Sequence, residues 1–288
     1  MRLCLGAAAT ALVLLASRTG ATEPRELRHD TRVDLAVTAT GATWLLLSEL
    51  LKGSLVPEKC RWCYRADDGG DLLNPYDGWV RHRLLWSDTR AAHIASTVGL
   101  GILEPATQLG LTLLAANQAG SAKSFPLDAL LITEATVVAG VLNQIAKFGF
   151  ARERPFVHYL PRAPTAIREL TASPSDDNLS FFSGHTTIAF AIATSSATIA
   201  TMRGYKLAPL IWGTGLAFGT SIGYLRIAAD KHYFSDVMTG AIVGSIVGVG
   251  IPLLFHSPKG GGAAANASAQ GLSSPGSRTA AVSISGTF

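Results

Sequence analysis

Charge is scarce in this sequence. Only 15% of its 288 residues are Asp, Glu, Lys or Arg, and 24 Lys+Arg are nearly offset by 20 Asp+Glu, leaving a formal net charge of +4. No long basic run appears, which argues against a dedicated nucleic-acid binder. Cysteine is scarcer still, with three in the chain, so a disulfide-dense scaffold is excluded. Strand-type alternation is missing from the body of the chain. What is plentiful is apolar material, at 48% hydrophobic residues and a mean hydropathy of +0.29, which excludes disorder over the whole length. The balance is greasy for a soluble enzyme and lean for a polytopic membrane protein.

The chain opens Met1-Arg2, continues apolar from Leu3 to Ala16, and then reads Ser17-Arg18-Thr19-Gly20-Ala21. A short basic start, an apolar run too short to span a bilayer and small residues before Ala21 predict an export signal over 1–21. From Ser257 the sequence is Gly, Ala and Ser with almost no charge, which predicts a disordered tail over 257–288. Between them, 22–256 reads as one helical domain. Apolar segments at about 34–52, 91–116, 127–147, 186–202, 207–225 and 234–255 predict an all-α bundle of about six helices. Gly240, Gly244 and Gly248 recur every fourth residue, a flat face on which another helix can pack closely.

Two connections are long, 53–90 and 156–182, and loops of that length are expected to be lids or disordered. The first carries Cys60 and Cys63. The pair suits redox chemistry, metal binding or a structural disulfide. A redox motif needs a βαβ context and zinc needs two further ligands, so in an exported protein the disulfide is the expectation. The acidic stretch Asp67-Asp68-Gly69-Gly70-Asp71 lacks calcium-loop spacing and reads as a solvated turn.

Three polar clusters fall at helix boundaries: Lys147 to Pro155, Ser183-Gly184-His185, and Arg226 with His232 to Asp236. Lys147, Arg154 and Arg226 can each place charged donors on a phosphoryl oxygen. Ser183 and Gly184 open a helix, where unpaired N–H groups and the dipole suit an anion. His232 and Asp236, four apart, share a helix face, so the carboxylate is expected to take the Nδ1 proton and leave Nε2 as a nucleophile. His185 remains as general acid.

This set resembles the type 2 phosphatidic acid phosphatase (PAP2) and vanadium haloperoxidase superfamily, whose pattern is Lys-x6-Arg-Pro, Pro-Ser-Gly-His and Ser-Arg-x5-His-x3-Asp. Lys147, Arg154 and Pro155 match the first motif; Ser183, Gly184 and His185 the second, with Phe182 in place of proline; Arg226, His232 and Asp236 the third, with Leu225 in place of serine. The resemblance covers about 90–255. It implies a PAP2-type bundle in which His232 attacks phosphorus, Asp236 orients it, and His185 protonates the leaving group and then activates water. Lys147, Arg154, Ser183, Gly184 and Arg226 hold the phosphate oxygens, and neither metal nor cofactor is required. The implied partner is a phosphorylated lipid or a small phosphate ester, with a membrane and without nucleic acid. A vanadium-dependent haloperoxidase and a non-catalytic bundle with a degenerate site are the competing readings.

Location is less uniform. Segments 207–225 and 234–255 are long and apolar enough to span, whereas Asp34, Glu49, Glu104 and Glu134 are costly in lipid unless they face the bundle interior. With a cleaved signal and every segment crossing, Lys147 ends on the cytoplasmic side, against the resemblance and against an oxidised cysteine pair. The expectation is an exported, membrane-associated protein with a periplasmic site; a soluble periplasmic bundle is the alternative.

Overall fold

The computed structural model describes residues 23–57, 59–64, 71–159 and 174–259. The expected signal over 1–21, the tail from 260 onward and Asp67 and Asp68 lie outside the described residues. Among those residues the chain is helical and has no strand, only single bridges at Leu27–Pro258 and Trp62–Arg152. In chain order the main helices are α1 (Thr31–Leu50), α2 (Pro75–Leu84), α3 (Thr89–Gln118, with a π-helical turn at Gly99–Leu103), α4 (Phe125–Phe150), α5 (Gly184–Arg203), α6 (Ala208–Ala228) and α7 (Phe234–Phe255). All but α2 correspond to the apolar segments of the sequence. α2 is too polar to stand out by hydropathy and is set by local signals, an Asn74 cap whose side chain accepts from Tyr76 N at 2.9 Å and Pro75 at its first position.

Helix starts and stops follow side-chain chemistry. Asp30 caps α1 by accepting from Arg32 N at 3.0 Å, and Asp88 caps α3 through Ala91 N at 2.9 Å. α5 begins at the Ser183 cap and ends at Gly204, whose left-handed backbone (φ 79°) suits a residue without Cβ.

α5 is the central helix, buried along most of its length and touching α3, α4, α6 and α7. Most of its Thr and Ser hydroxyls bond back to the helix, as in Thr187 to Ser183 O (2.8 Å), Thr194 to Phe190 O (2.7 Å) and Ser196 to Ile192 O (2.7 Å), with Thr198 the exception. The glycine stripe of α7 lies against it. A Cβ at Gly240 would stand 2.8 Å from Ser183 O, one at Gly248 2.7 Å from Ala191 O, and one at Gly244 would strike the Thr187 backbone. The stripe therefore sets how closely the two helices that begin at Ser183 and Tyr233 approach.

The outside of the bundle is apolar. Leu46, Leu50, Ile102, Ile145, Ile242, Ile246, Leu253 and Leu254 are exposed, a belt far beyond what a water-facing monomer presents. Four helices are long and apolar enough to cross a membrane: Thr31–Leu50, Thr89–Gln118, Ala122–Phe150 and Phe234–Phe255. α6, whose segment reads in the sequence as apolar enough to span, is not among them; its Gly215 and Gly219 face Ala193 and Phe190 of α5. Asp34, Glu104 and Glu134 are buried in the bundle, whereas Glu49 sits at the exposed end of α1 against Lys52 at 3.0 Å. These features support membrane association.

The first long connection is not an open lid in its described part. Arg61 N donates to Ala151 O (3.1 Å) and Glu153 N to Trp62 O (3.2 Å), docking 60–64 against the end of α4. Cys60 and Cys63, with Cα atoms 5.6 Å apart, are joined by a disulfide in this docked segment. At the opposite end of the bundle the two ends of the described chain meet, with Arg28 N donating to Ser257 O (3.1 Å) and Lys259 N to Glu26 O (2.8 Å).

Candidate active site

All three polar clusters gather at one end of the bundle. α4 delivers Lys147 in its last turn and stops at Ala151, a non-glycine residue in left-handed backbone (φ 43°). The turn there sends Arg152 inward, where it is 1% exposed. Its guanidinium donates to Ser235 Oγ at 2.9 Å, to Asp77 Oδ2 at 2.9 Å and to Asp236 Oδ1. Rings close over it, with Tyr233 at 4.4 Å and Trp62 at 4.5 Å from the guanidinium carbon. Removing Arg152 from the ordinary arginine range is harder still: burial works against its charge, but Asp236, Tyr64 and Asp77 more than offset it.

Asp236 is fully buried and saturated. Besides Arg152, its Oδ2 accepts from Ser180 Oγ at 2.6 Å and from Tyr233 N at 2.9 Å. Here the structure corrects the sequence expectation. His232 Nδ1 does not donate to Asp236, whose Oδ2 is 3.7 Å away; it meets the Ser180 carbonyl at 2.8 Å. The i,i+4 spacing does bring the two side chains to one face, but the carboxylate is drawn off by a buried arginine, and a main-chain oxygen takes its place. A carbonyl only accepts, so Nδ1 holds the proton and Nε2 keeps its lone pair. Burial, together with the charges of Arg154, Arg226 and Lys147, pushes His232 well below the usual histidine range. The three cations singled out in the sequence are thus the charges that act on this ring.

The other residues expected to face a phosphate lie in the same three clusters. A Cβ at Gly184 would lie 3.0 Å from Lys147 Nζ and 2.8 Å from Asn143 Oδ1, so glycine is what lets the ammonium approach the start of α5. Ser183 caps α5, its Oγ 2.9 Å from Thr186 Oγ1, and its N–H donates to Asp236 O at 3.1 Å. Ser183 thus places the helix N-terminus. The Phe182 position is held from α4, where Asn143 Nδ2 donates to Phe182 O at 2.7 Å. Arg154 donates to Lys231 O (3.0 Å) and to Asp176 O (2.7 Å), and pairs with the Asp176 carboxylate at 3.2 Å. Asp176 also pairs with Lys52 at 2.8 Å. Burial alone would raise Asp176, but Arg154 and Lys52 hold it well below the usual carboxylate range. Arg226 donates to Ser96 Oγ at 3.0 Å and to His93 Nδ1 at 2.9 Å. His185 lies 3.5 Å from Thr97 Oγ1 and has Arg226, His232 and Lys147 as electrostatic neighbours.

Sequence reading missed Arg152, Ser180, Asn143, Asp77, Asp176 and Lys52. Two carried a signal. Arg152 is a charge inside the first motif, and Asn143 lies one turn before Lys147 on the same face of α4. Asp176 and Ser180 come from the second long connection, Asp77 from the polar helix α2 and Lys52 from the end of the first apolar segment, and no local pattern brings them to the site.

Residues 128–258 match the PAP2 superfamily, a stretch that contains all three clusters. Among solved structures, the chain is similar to a transmembrane PAP2-type phosphatidylglycerolphosphate phosphatase from Bacillus subtilis, at 19% identity and a TM-score of 0.35, covering 61% of this chain and 90% of that one. No curated protein matches the sequence.

Proposed function

We propose, for a chain whose residues 128–258 match the PAP2 superfamily, that this site is a phosphatase acting on a phosphorylated lipid through a phosphohistidine. The observation that carries the reading is a buried neutral His232, its Nδ1 proton fixed on Ser180 O at 2.8 Å, ringed by Arg154, Arg226 and Lys147. Cations around a neutral nucleophile bind a phosphate and leave the attacking lone pair intact. In the first step His232 Nε2 bonds to phosphorus as the ester P–O bond breaks, and His185 gives its proton to the leaving oxygen. The bound phosphate supplies the negative charge against which His185 carries that proton. In the second step His185 takes a proton from water, the water oxygen bonds to phosphorus, and the P–N bond breaks to release phosphate. Asp236 acts on this cycle through Ser180 rather than by direct contact. The apolar belt and the position of the site at one end of the bundle favour a substrate held in a bilayer.

The test is hydrolysis of phosphatidic acid and phosphatidylglycerol phosphate in detergent micelles. Turnover that survives EDTA and is blocked by vanadate, a mimic of pentacoordinate phosphorus, is the expected result; loss in EDTA with recovery in magnesium sinks the mechanism. Vanadate-loaded protein that oxidises bromide with peroxide would instead favour the haloperoxidase.

Orientation follows from the disulfide. Cys60–Cys63 lies at the site end, and disulfides persist in oxidising compartments, so we place that end outside. The paired ends at Leu27 and Pro258 then face the cytoplasm. Cleavage after Ala21 would start the chain on the other side, so the two expectations conflict for six crossings. A reporter active only in the cytoplasm, fused after Lys259, is expected to be active; an inactive fusion on stably inserted protein reverses the orientation.

A further inference from the structure

At the end of the bundle away from the site, three ionisable side chains from three helices converge: Asp34 in the first turn of α1, Glu134 in α4 and His256 at the end of α7. All three are more than nine-tenths buried. One ligand atom from each lies within 4.8 Å of the other two. His256 Nε2 is 3.3 Å from Glu134 Oε2, yet Asp34 Oδ2, Glu134 Oε2 and His256 Nε2 all lack a hydrogen-bond partner. Three partnerless polar atoms aimed at one point are costly in an interior. A proton shared between His256 and Glu134 satisfies that pair and leaves Asp34 Oδ2 unserved.

A neighbouring cluster shows how this bundle satisfies buried charge when charge is all it needs. Asp128 takes two donors from Arg203, at 2.8 and 2.6 Å, and one from Tyr205 at 2.8 Å. Among the described residues nothing comparable reaches the Asp34 group. What does reach it is an orienting bond: His256 Nδ1 faces Arg28 O at 3.2 Å. That carbonyl fixes the proton on Nδ1 and leaves Nε2 as a lone pair, the arrangement typical of a metal-bound imidazole.

We propose that Asp34, Glu134 and His256 bind one divalent transition metal, of which zinc is the best match. One imidazole and two carboxylates neutralise a divalent cation and belong to the nitrogen and oxygen donors zinc accepts. Bonds of about 2.0–2.1 Å in tetrahedral geometry put ligand atoms roughly 3.3 Å apart, which is the observed His256–Glu134 separation. The ion ties α1, which lies ahead of the family-matched stretch 128–258, to α4 and α7. Asp236 and His256 stand at opposite ends of α7, about 30 Å apart at 1.5 Å per residue, so the role is structural and independent of the phosphatase reading.

The test uses the full chain purified in detergent, stripped with chelator and titrated with Co²⁺, then with Zn²⁺. The expected result is one equivalent of Co²⁺ with intense tetrahedral visible bands, displaced by Zn²⁺ and absent in Glu134→Gln and His256→Ala. Thermal unfolding of the wild type is expected to fall by roughly 5 °C on chelation, while that of Glu134→Gln does not respond to chelator. Wild-type protein that remains folded but shows neither bands nor metal-dependent melting overturns the site. So do bands that persist in both variants, which would place the ion elsewhere. Because the wild-type titration stands alone, a variant that fails to fold does not remove the test.

Discussion

The two ends of this bundle handle buried charge in different ways. At the site end, Lys147, Arg154 and Arg226 crowd one neutral imidazole, and the acids nearby are placed to restrain arginines. Asp176 holds Arg154 and Asp236 holds Arg152. At the far end, charge locks helices together: Arg203 closes on Asp128 and on the Arg25 carbonyl at 3.0 Å. An excess of cations that no fold requires marks a place for an anion; a closed pair marks a joint. The contrast says which residues can be changed without losing the fold.

The sharpest way to break the comparison is His232→Ala. Turnover is expected to fall by about 10⁴-fold or more, with the melting temperature nearly unchanged, because the residue removed is a desolvated group in a cationic site; residual turnover within 10-fold of wild type would remove His232 from the nucleophile's role. Next come the arginines. Arg152→Met leaves Asp77 and Asp236 buried without their cation, and Arg203→Met does the same to Asp128. Each is expected to cost about 3–5 kcal/mol in chemical denaturation. Only Arg152→Met should also lower kcat in the protein that remains folded, and equal kcat in the two variants would erase the distinction between the ends. The smallest effect is at Asp176. Asp176→Asn removes the carboxylate competing for Arg154 but keeps the main-chain carbonyl that accepts its Nε, so vanadate inhibition is expected to tighten by about 3- to 5-fold, the equivalent of somewhat under 1 kcal/mol. Weaker inhibition would mean that the carboxylate positions Arg154 rather than competing for it.

How much of this was legible in the sequence follows from which forces are local. Six of the seven main helix positions were, because apolar segments and a helix start such as Ser183-Gly184 are short-range facts, while the polar α2 was not. The three polar clusters were, because several cations and two histidines at helix boundaries are also read directly off the chain. The hydrogen bonds between them were not. Spacing put Asp236 on the face of His232, and only the inward turn at Ala151 shows why Arg152 claims that carboxylate instead. The first long connection read as a lid because nothing in residues 60–64 announces that Trp62 will roof a buried guanidinium. Asp34 and Glu134 were visible as acids needing an interior, but His256, more than 100 residues from Glu134, was only the last residue of the expected helical domain.

The clasp between residues 25–28 and 257–259 has a kinetic meaning. Its partners are separated by nearly the whole described chain, and closure of so long a loop can reward the chain only after the intervening helices are in place. α1 can dock on α4 before α7 exists, but its start is fastened only when Ser257 reaches Arg28. The joint thereby records that the last helix has been made. A chain truncated just before it would hold every proposed site residue and still lack the seal on its first helix.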